Sequence, residues 1–193
     1  MESGGPLLCL LIDTSGSTSR GAFNAAVNAA LPRILTAVER RDPARRICLA
    51  SYGTGAEIRV PPAPAGRVPL LPALTTGGLS SLASGLRLAA RTLAEEAARP
   101  AVDGLAGPGP AIVVFADGLP TDPDEQVLAA RAELDTAGPV TVHVACTEEA
   151  PALALAGLRA RVHRLPDGGP DAVEEALVQV LDGVLDDMPA VAG

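Results

Sequence analysis

Short apolar runs alternate with longer amphipathic stretches along most of this chain. Such runs, bounded by turn-forming residues, are typical of strands buried in a mainly parallel sheet. The predicted strands cover residues 7–12, 46–52, 57–61, 111–116, 140–147 and 162–165, and the predicted helices cover residues 21–40, 82–99, 123–137, 152–158 and 170–187. Because the two kinds of element alternate, the sequence predicts an α/β fold. We expect a doubly wound, Rossmann-like, mostly parallel six-stranded sheet with helices on both faces.

Local signals add detail to this arrangement. The second and third predicted strands are separated only by Gly53-Thr54-Gly55-Ala56, too short for a crossover helix, so they are expected to form a hairpin with one antiparallel strand. Pro32 is expected to kink the first helix or to displace its boundary. Asp122-Pro123 predicts an N-cap followed by a proline at the first position of the third helix. The stretches 61–72 and 100–110, rich in proline and glycine, are interpreted as surface loops.

Size and composition indicate one globular domain. A chain of 193 residues is long enough to bury a core, and we expect a single domain over residues 1–193 with its core between about 7 and 187. Hydrophobic residues make up 48% of the chain but aromatic residues only 2%, so the core must consist mainly of aliphatic side chains. Cys9, Cys48 and Cys146 each lie in an apolar run without a CxxC spacing, which predicts buried, reduced thiols in a cytoplasmic protein.

The charge balance argues against several classes of partner. A net charge of −8 disfavours binding to nucleic acid or to an anionic membrane. No apolar stretch approaches the roughly 18 residues of a membrane helix, and the N-terminus lacks the basic cluster of a secretory signal. The basic pairs Arg40-Arg41 and Arg45-Arg46, with Asp42 between them, are interpreted as a solvated helix end.

The first predicted strand ends in a cluster of side-chain oxygens. Asp13, Ser15 and Ser17 follow it directly, at the carboxyl end of a strand, where open α/β sheets bind their ligands. A carboxylate and two hydroxyls suit a hard divalent cation, which prefers oxygen ligands. The alternative is an ordinary loop with an aspartate turn and a serine cap.

Two further loops offer oxygen atoms at the same predicted edge. The stretch 75–82 is glycine-rich and delivers Ser80 and Ser81 just before a helix, and Asp117-Gly118 follows another buried strand. Each has a local alternative, because either serine could cap the helix and Asp117-Gly118 could be a simple turn. The coincidence of three such loops favours one shared metal site.

These motifs resemble a known family. From about residue 7 to residue 187 the chain resembles a von Willebrand factor type A (VWA) domain with a metal-ion-dependent adhesion site (MIDAS), and it is most similar to small bacterial proteins associated with tellurite resistance (TerY-like), whose loops resemble the run 117–122. The resemblance implies metal ligands at Asp13, Ser15, Ser17, Ser80 and Asp117. It departs from the family at Leu79, which follows Gly77-Gly78 where a threonine is usual. Ser80 then takes the threonine position, and Ser81 remains a rival.

The resemblance also implies a function. The cation would be Mg²⁺, or else Mn²⁺ or Ca²⁺, with one coordination position left for an Asp or Glu of a partner protein. The chain would then be a non-enzymatic adaptor in a bacterial stress response of the tellurite-resistance type, and its partner could be a co-encoded kinase or phosphatase.

Two other functions stay open. One is a metal-dependent phosphohydrolase with an aspartyl nucleophile, which Ser15 disfavours because that chemistry usually needs a second acid at this position. The other is a VWA domain with a purely structural metal. His143 and His163 lie within strand patterns and are interpreted as structural or surface residues rather than catalytic ones.

Overall fold

The computed structural model describes residues 6–19, 22–68, 71, 73–99, 109–118, 120–147 and 157–188. Within them the strands are β1 (Leu8–Asp13), β2 (Arg46–Tyr52), β3 (Ala56–Pro64), β4 (Ala111–Ala116), β5 (Thr141–Cys146) and β6 (Arg161–Arg164). The helices are α1 (Phe23–Arg41), α2 (Leu82–Ala97), α3 (Asp124–Thr136) and α4 (Pro170–Asp187), with short 3₁₀ turns at Ser17–Ser19 and Ala65–Arg67.

The six strands form one sheet in the order β3-β2-β1-β4-β5-β6. All neighbouring strands are parallel except β2 and β3, which pair antiparallel as the short Gly53–Ala56 connection predicts. The predicted fold class is therefore confirmed. After β1 the chain builds outward in one direction through β2 and β3, then continues on the other side of β1 with β4. The carboxyl ends of β1 and β4 thus flank the topological switch point, where doubly wound sheets bind ligands.

The core forms one layer on each face of the sheet. Leu10 of β1 packs with α1 and α4 on one face, and Leu11 packs with α2 and α3 on the other. All six residues of β1 are buried, as expected of a central strand covered on both faces. Each buried leucine contributes roughly 1.5–3 kcal/mol to folding. A rigid central strand therefore holds the loop that follows Asp13.

The structure corrects two predictions that depended on prolines. Strand β3 extends through Pro64, so its end lies within the stretch 61–72 that was interpreted as loop. Its prolines are tolerated because β3 is an edge strand with irregular pairing to β2. Helix α1 runs without interruption through Pro32, which is exposed. The prediction that Pro32 displaces a boundary of this helix is therefore wrong. The predicted helix at 152–158 and most of the loop at 100–110 lie outside the described residues.

The interpretation of Arg45 and Arg46 as a solvated helix end is also wrong. Arg45 is only 2% exposed, with Nη2 lying 3.2 Å from Asp42 and donating to the carbonyl of Met188 at 3.0 Å. Arg46 is largely buried and pairs with Glu96 of α2. Burial lowers the pKa of Arg45, which the nearby Asp42 opposes. Both arginines therefore tie separate elements together.

The cysteines behave as predicted. Cys9, Cys48 and Cys146 are buried and free of disulfides. Cys9 and Cys48 face each other across β1 and β2, and the pKa of Cys9 is raised by its hydrogen bond to Cys48 and by burial. A thiol held in its protonated form is a poor nucleophile. No helix in the described part of the chain has the length and apolar character to cross a membrane.

Candidate metal centre

Asp13 is the last residue of β1, and its carboxylate accepts hydrogen bonds from two segments. The side chain is buried. Its Oδ1 accepts the Ser15 amide at 2.7 Å, and its Oδ2 accepts the Ser80 hydroxyl at 2.8 Å. Tyr52, at the end of β2, is aligned with Asp13 in the sheet, and the carboxylate contributes to raising the pKa of its phenol. The first loop and the segment before α2 therefore fix the orientation of this carboxylate.

The two serines of the first loop continue the contact toward β4. Ser15 Oγ lies 3.0 Å from Ser17 Oγ, and Ser17 Oγ donates to Asp117 Oδ1 at 3.1 Å. Asp117 follows β4, which pairs directly with β1. Asp13, Ser15, Ser17, Ser80 and Asp117 thus lie in one continuous set of contacts, in which the Ser15 amide joins Asp13 to the two serine hydroxyls and Asp117. Their role as metal ligands stays a prediction.

Backbone hydrogen bonds lock the glycine-rich loop against the first loop. The Gly16 amide donates to the Gly78 carbonyl at 2.9 Å, and the Gly77 amide donates to the Thr14 carbonyl at 2.8 Å. Gly78 has a φ of +81°, a conformation that side chains disfavour. A Cβ at Gly78 would lie 2.2 Å from Thr54 Oγ1. Glycine at 78 is therefore required for the loop to approach this closely.

The structure separates the roles of Ser80 and Ser81. Ser80 is buried and its hydroxyl meets Asp13. Ser81 is the N-cap of α2, and its Oγ accepts the Ser84 amide at 3.4 Å. The local capping alternative therefore holds for Ser81, whereas Ser80 joins the candidate site.

Asp122 does not cap α3 as expected. Its Oδ1 accepts the Ser81 hydroxyl at 2.8 Å and its Oδ2 accepts the Ala83 amide at 3.0 Å, so it caps the preceding helix α2 instead. Helix α3 begins one residue later than predicted, with Pro123 as its N-cap residue and no side-chain cap. Asp122 lies one residue before the N-cap position of α3, and its carboxylate instead accepts the Ala83 amide in the first turn of α2.

A cavity opens over the candidate site. It has a volume of about 320 Å³ and is lined by Ser15, Ser17, Gly78, Leu79, Ser80, Asp117, Gly118 and Thr121. Leu79, which follows Gly77-Gly78 and lines this cavity, is 61% exposed. The oxygen cluster therefore opens into this cavity at the carboxyl edge of the sheet.

The electrostatic environment is negative. The pKa of Tyr52 is raised well above its usual value, first by burial and then by the carboxylates of Asp13, Asp117 and Asp122. All three carboxylates therefore lie within electrostatic reach of one buried phenol. Sequence analysis missed Tyr52 and Asp122, because a tyrosine ending an apolar strand and an aspartate before a proline both have ordinary structural explanations.

The side chains present fit a small hard cation. They offer two carboxylates and three hydroxyls, and contacts of 2.8, 3.0 and 3.1 Å already join them. Neighbouring oxygens around octahedral Mg²⁺, with bonds of 2.0–2.1 Å, lie about 2.9 Å apart. Within the described residues no group of three or more His, Cys, Asp or Glu side chains could hold a metal. A cation here would therefore depend on the serine hydroxyls, which suits Mg²⁺ better than softer metals.

The two histidines lie away from this site. His143 Nδ1 and His163 Nε2 are 3.1 Å apart on β5 and β6, with the rings stacked. Burial, then the positive fields of His163 and Arg161, lower the pKa of His143 from its ordinary 6.5 to about 4. Their interpretation as structural residues agrees with this packing.

Comparison with solved structures gives the same fold. The chain is similar to a von Willebrand factor type A protein from Catenulispora acidiphila (16% identity, TM-score 0.65), covering 92% of this chain and 42% of that one. It is similar to the SpRpn10 VWA domain (14% identity, TM-score 0.66), covering 90% of this chain and 94% of that one. It is also similar to the pilus adhesin SpaC from Lactobacillus rhamnosus GG (13% identity, TM-score 0.70), covering 97% of this chain and 31% of that one.

At these identities the likeness is one of fold, and this chain spans less than half of the Catenulispora protein and of the adhesin. No curated protein matches the chain. The model of the von Willebrand factor type A domain matches residues 8–119, more than half of the sequence, from β1 through the residues after Asp117. The chain belongs to the von Willebrand factor type A domain family.

Proposed function

We propose that this domain is a metal-dependent protein-binding adaptor that recruits an acidic residue of a partner protein through a divalent cation. The cation would be held in a MIDAS arrangement by Asp13, Ser15, Ser17, Ser80 and Asp117. The observation that carries this proposal is the convergence of these side chains from three loops, with contacts of 2.8–3.1 Å, beneath an open cavity. VWA domains are generally metal-dependent interaction modules, and this family membership supports the proposal.

The donor set explains how a partner would be recruited. Bound here, Mg²⁺ (or Mn²⁺ or Ca²⁺) would supply an electrophilic coordination position for a carboxylate. The three serine hydroxyls are neutral and leave more of the cation's charge unbalanced than a cage of carboxylates would. Asp13, whose orientation is fixed by the Ser15 amide and the Ser80 hydroxyl, lies at the base of the set. A carboxylate entering through the cavity would meet the cation from the open side.

The charge of the chain favours recruitment through a metal over a direct contact. A net charge of −8 repels an acidic partner at long range. Asp13, Asp117 and Asp122 add local negative potential beside the cavity. A divalent cation bound here would offset two of these three negative charges and offer a coordination position that a carboxylate can occupy directly. Affinity for the partner should therefore disappear when the cation is removed.

The setting that we propose is a cytoplasmic bacterial stress response of the tellurite-resistance type. The run Asp117–Asp122 resembles the corresponding loop of the TerY-like proteins, and this resemblance supports the setting. On that basis the partner is a protein kinase or phosphatase encoded beside this chain. This part of the proposal rests on analogy within the family.

Protein capture tests the adaptor function. The wild-type domain is immobilised and exposed to lysate of its native cell in Mg²⁺, then eluted with EDTA. Asp13→Ala and the distant surface variant Thr136→Ala are run in parallel, since Thr136 is exposed and its hydroxyl, among the residues that the structure describes, bonds only the Glu133 carbonyl. We expect one set of proteins to be retained by wild type and Thr136→Ala, released by EDTA and absent with Asp13→Ala. Substituting the partner's acidic residue by its amide should then abolish binding.

The same preparation separates the two alternatives. A structural metal would raise the unfolding temperature through Asp13 without changing what is captured. A phosphohydrolase would release phosphate from a panel of phosphate esters, and that release would be lost in Asp13→Ala. Capture that survives both EDTA and Asp13→Ala would overturn the adaptor proposal.

A further inference from the structure

Asp122 uses both carboxylate oxygens on residues far from it in sequence. Its Oδ1 accepts the Ser81 hydroxyl at 2.8 Å, and its Oδ2 accepts the Ala83 amide at 3.0 Å. These two donors belong to the start of α2, which carries no acidic residue in its first turn. Asp122 thus fastens the β4–α3 connection to the N-terminus of α2.

Thr121, the residue before Asp122, binds Ser80, the residue before Ser81. Its amide and its hydroxyl both donate to the carbonyl of Ser80, at 2.8 and 3.0 Å. On the other side the Ser81 amide donates to the Gly53 carbonyl at 2.8 Å. The backbone around Ser80 is therefore held by hydrogen bonds to Thr121 on one side and to Gly53 on the other, while the Ser80 hydroxyl donates to Asp13.

We infer that Asp122 is a positioning residue for the candidate metal centre, acting through Ser80. The β4–α3 connection carries Asp117 at one end and Asp122 at the other. By binding Ser81 and Ala83, directly after Ser80 in the chain, Asp122 holds the Ser80 hydroxyl at a fixed place relative to both Asp117 and Asp13. This inference rests on the proposed metal site, and it assigns a residue outside the ligand set.

The contact pattern argues against a purely local role. Helix α2 already has its own cap in Ser81, whose Oγ accepts the Ser84 amide. Asp122 binds that cap and the following turn across 41 and 39 residues, instead of capping the helix that it precedes. Groups that orient metal ligands typically change metal affinity by 10–100-fold when they are removed.

Mg²⁺ titration of single and double variants tests the inference. We expect Asp122→Ala to weaken Mg²⁺ binding by about tenfold or more. Asp122→Asn keeps one acceptor oxygen and should recover part of that loss. In a Ser80→Ala background, Asp122→Ala should cause no further loss, because its effect passes through Ser80. The distant variant Thr92→Val, which removes a buried hydroxyl from the same helix, should bind Mg²⁺ as wild type does.

Each contrary outcome has a distinct meaning. Unchanged affinity in Asp122→Ala, or an equal loss with and without Ser80, would overturn the inference while leaving the metal site intact. An equal loss of Mg²⁺ affinity in Asp122→Asn and Asp122→Ala would assign the effect to the charge of Asp122, and would also overturn the inference. If Asp122→Ala does not fold, Thr121→Val is used instead, because it removes the hydroxyl contact to Ser80 from an exposed position. We expect Thr121→Val to weaken Mg²⁺ binding, and to cause no further loss in a Ser80→Ala background. Absence of Mg²⁺ binding by wild type would instead overturn the proposed function.

Discussion

The hydroxyl of Ser80 donates a 2.8 Å hydrogen bond to Asp13 Oδ2, joining two buried residues that lie 67 positions apart. One residue ends the central strand β1 and the other precedes α2. Their contact depends on the β1–β2 pairing and on the locked glycine loop. The candidate metal centre is therefore a product of the tertiary fold.

Ser80→Ala should lower Mg²⁺ affinity by about tenfold or more, because it removes a proposed ligand. It should also cost about 1–2 kcal/mol of stability, since Asp13 Oδ2 loses a buried donor. Calorimetric titration and urea unfolding measure the two effects. Ser19→Ala is a matched control, because the Ser19 hydroxyl is exposed and, within the described residues, bonds only the Gly16 carbonyl of the same loop. Equal Mg²⁺ affinity in both variants would remove Ser80 from the site.

The neighbouring glycines of the middle loop should respond differently to alanine. Gly78→Ala places a Cβ at positive φ and 2.2 Å from Thr54 Oγ1, and should destabilise the domain by about 2 kcal/mol or more. Gly77→Ala meets no atom within 4 Å and should change stability by less than about 0.5 kcal/mol. Urea unfolding of the pair checks this. Similar stabilities would contradict the close approach of the loops.

Tyr52→Phe should weaken Mg²⁺ binding by several-fold up to about tenfold, because it removes a phenol hydroxyl that lies beside the Asp13 carboxylate. Tyr52 is the single tyrosine and the chain has no tryptophan, so the tyrosine emission of the wild type reports on the Asp13 environment. We expect Mg²⁺ to change that emission in wild type but not in Asp13→Asn. Unaltered Mg²⁺ affinity in Tyr52→Phe would show that Tyr52 does not support the site.

The His143–His163 pair should make stability depend on pH. Burial and positive neighbours lower the pKa of His143 to about 4, with Asp187 opposing, so the native state keeps it neutral where the unfolded chain binds a proton. Stability should be full above about pH 6.5 and fall by at most about 3 kcal/mol as pH drops toward 4. Urea unfolding between pH 7 and 5 isolates this group from most carboxylates.

His143→Gln should flatten the dependence in that range. His163→Gln should flatten it less, because His163 is more exposed and its own pKa is lowered to a smaller degree. A slope that is unchanged in His143→Gln would assign the pH dependence to other groups.

Local signals were sufficient for much of the fold. Strand β4 and helix α4 have the predicted bounds, because an unbroken apolar run decides the first and an amphipathic pattern after Pro170 decides the second. The hairpin followed from the length of Gly53–Ala56 alone. The convergence of Asp13 with Asp117 was also predictable, since parallel strands place their carboxyl ends at one edge.

Arg45, Asp122 and Tyr52 were misinterpreted or missed because their partners are distant in sequence. Arg45 looks like a surface charge until the carbonyl of Met188, 143 positions away, is placed against it. Asp122 carries a local capping signal, which a contact to α2 overrides. Tyr52 looks like an ordinary strand residue until β2 aligns it with Asp13. Such partners depend on tertiary packing, which no short stretch of sequence encodes.

Calorimetric titration of Mg²⁺ into the wild-type domain and Asp13→Asn tests the central claim most directly. Asp13→Asn keeps the size of the side chain and one acceptor oxygen but removes the charge on which the proposed site depends. We predict saturable binding of one cation per chain to the wild type and none to the variant. Equal isotherms for the two proteins, or no saturable binding by the wild type, would contradict the account.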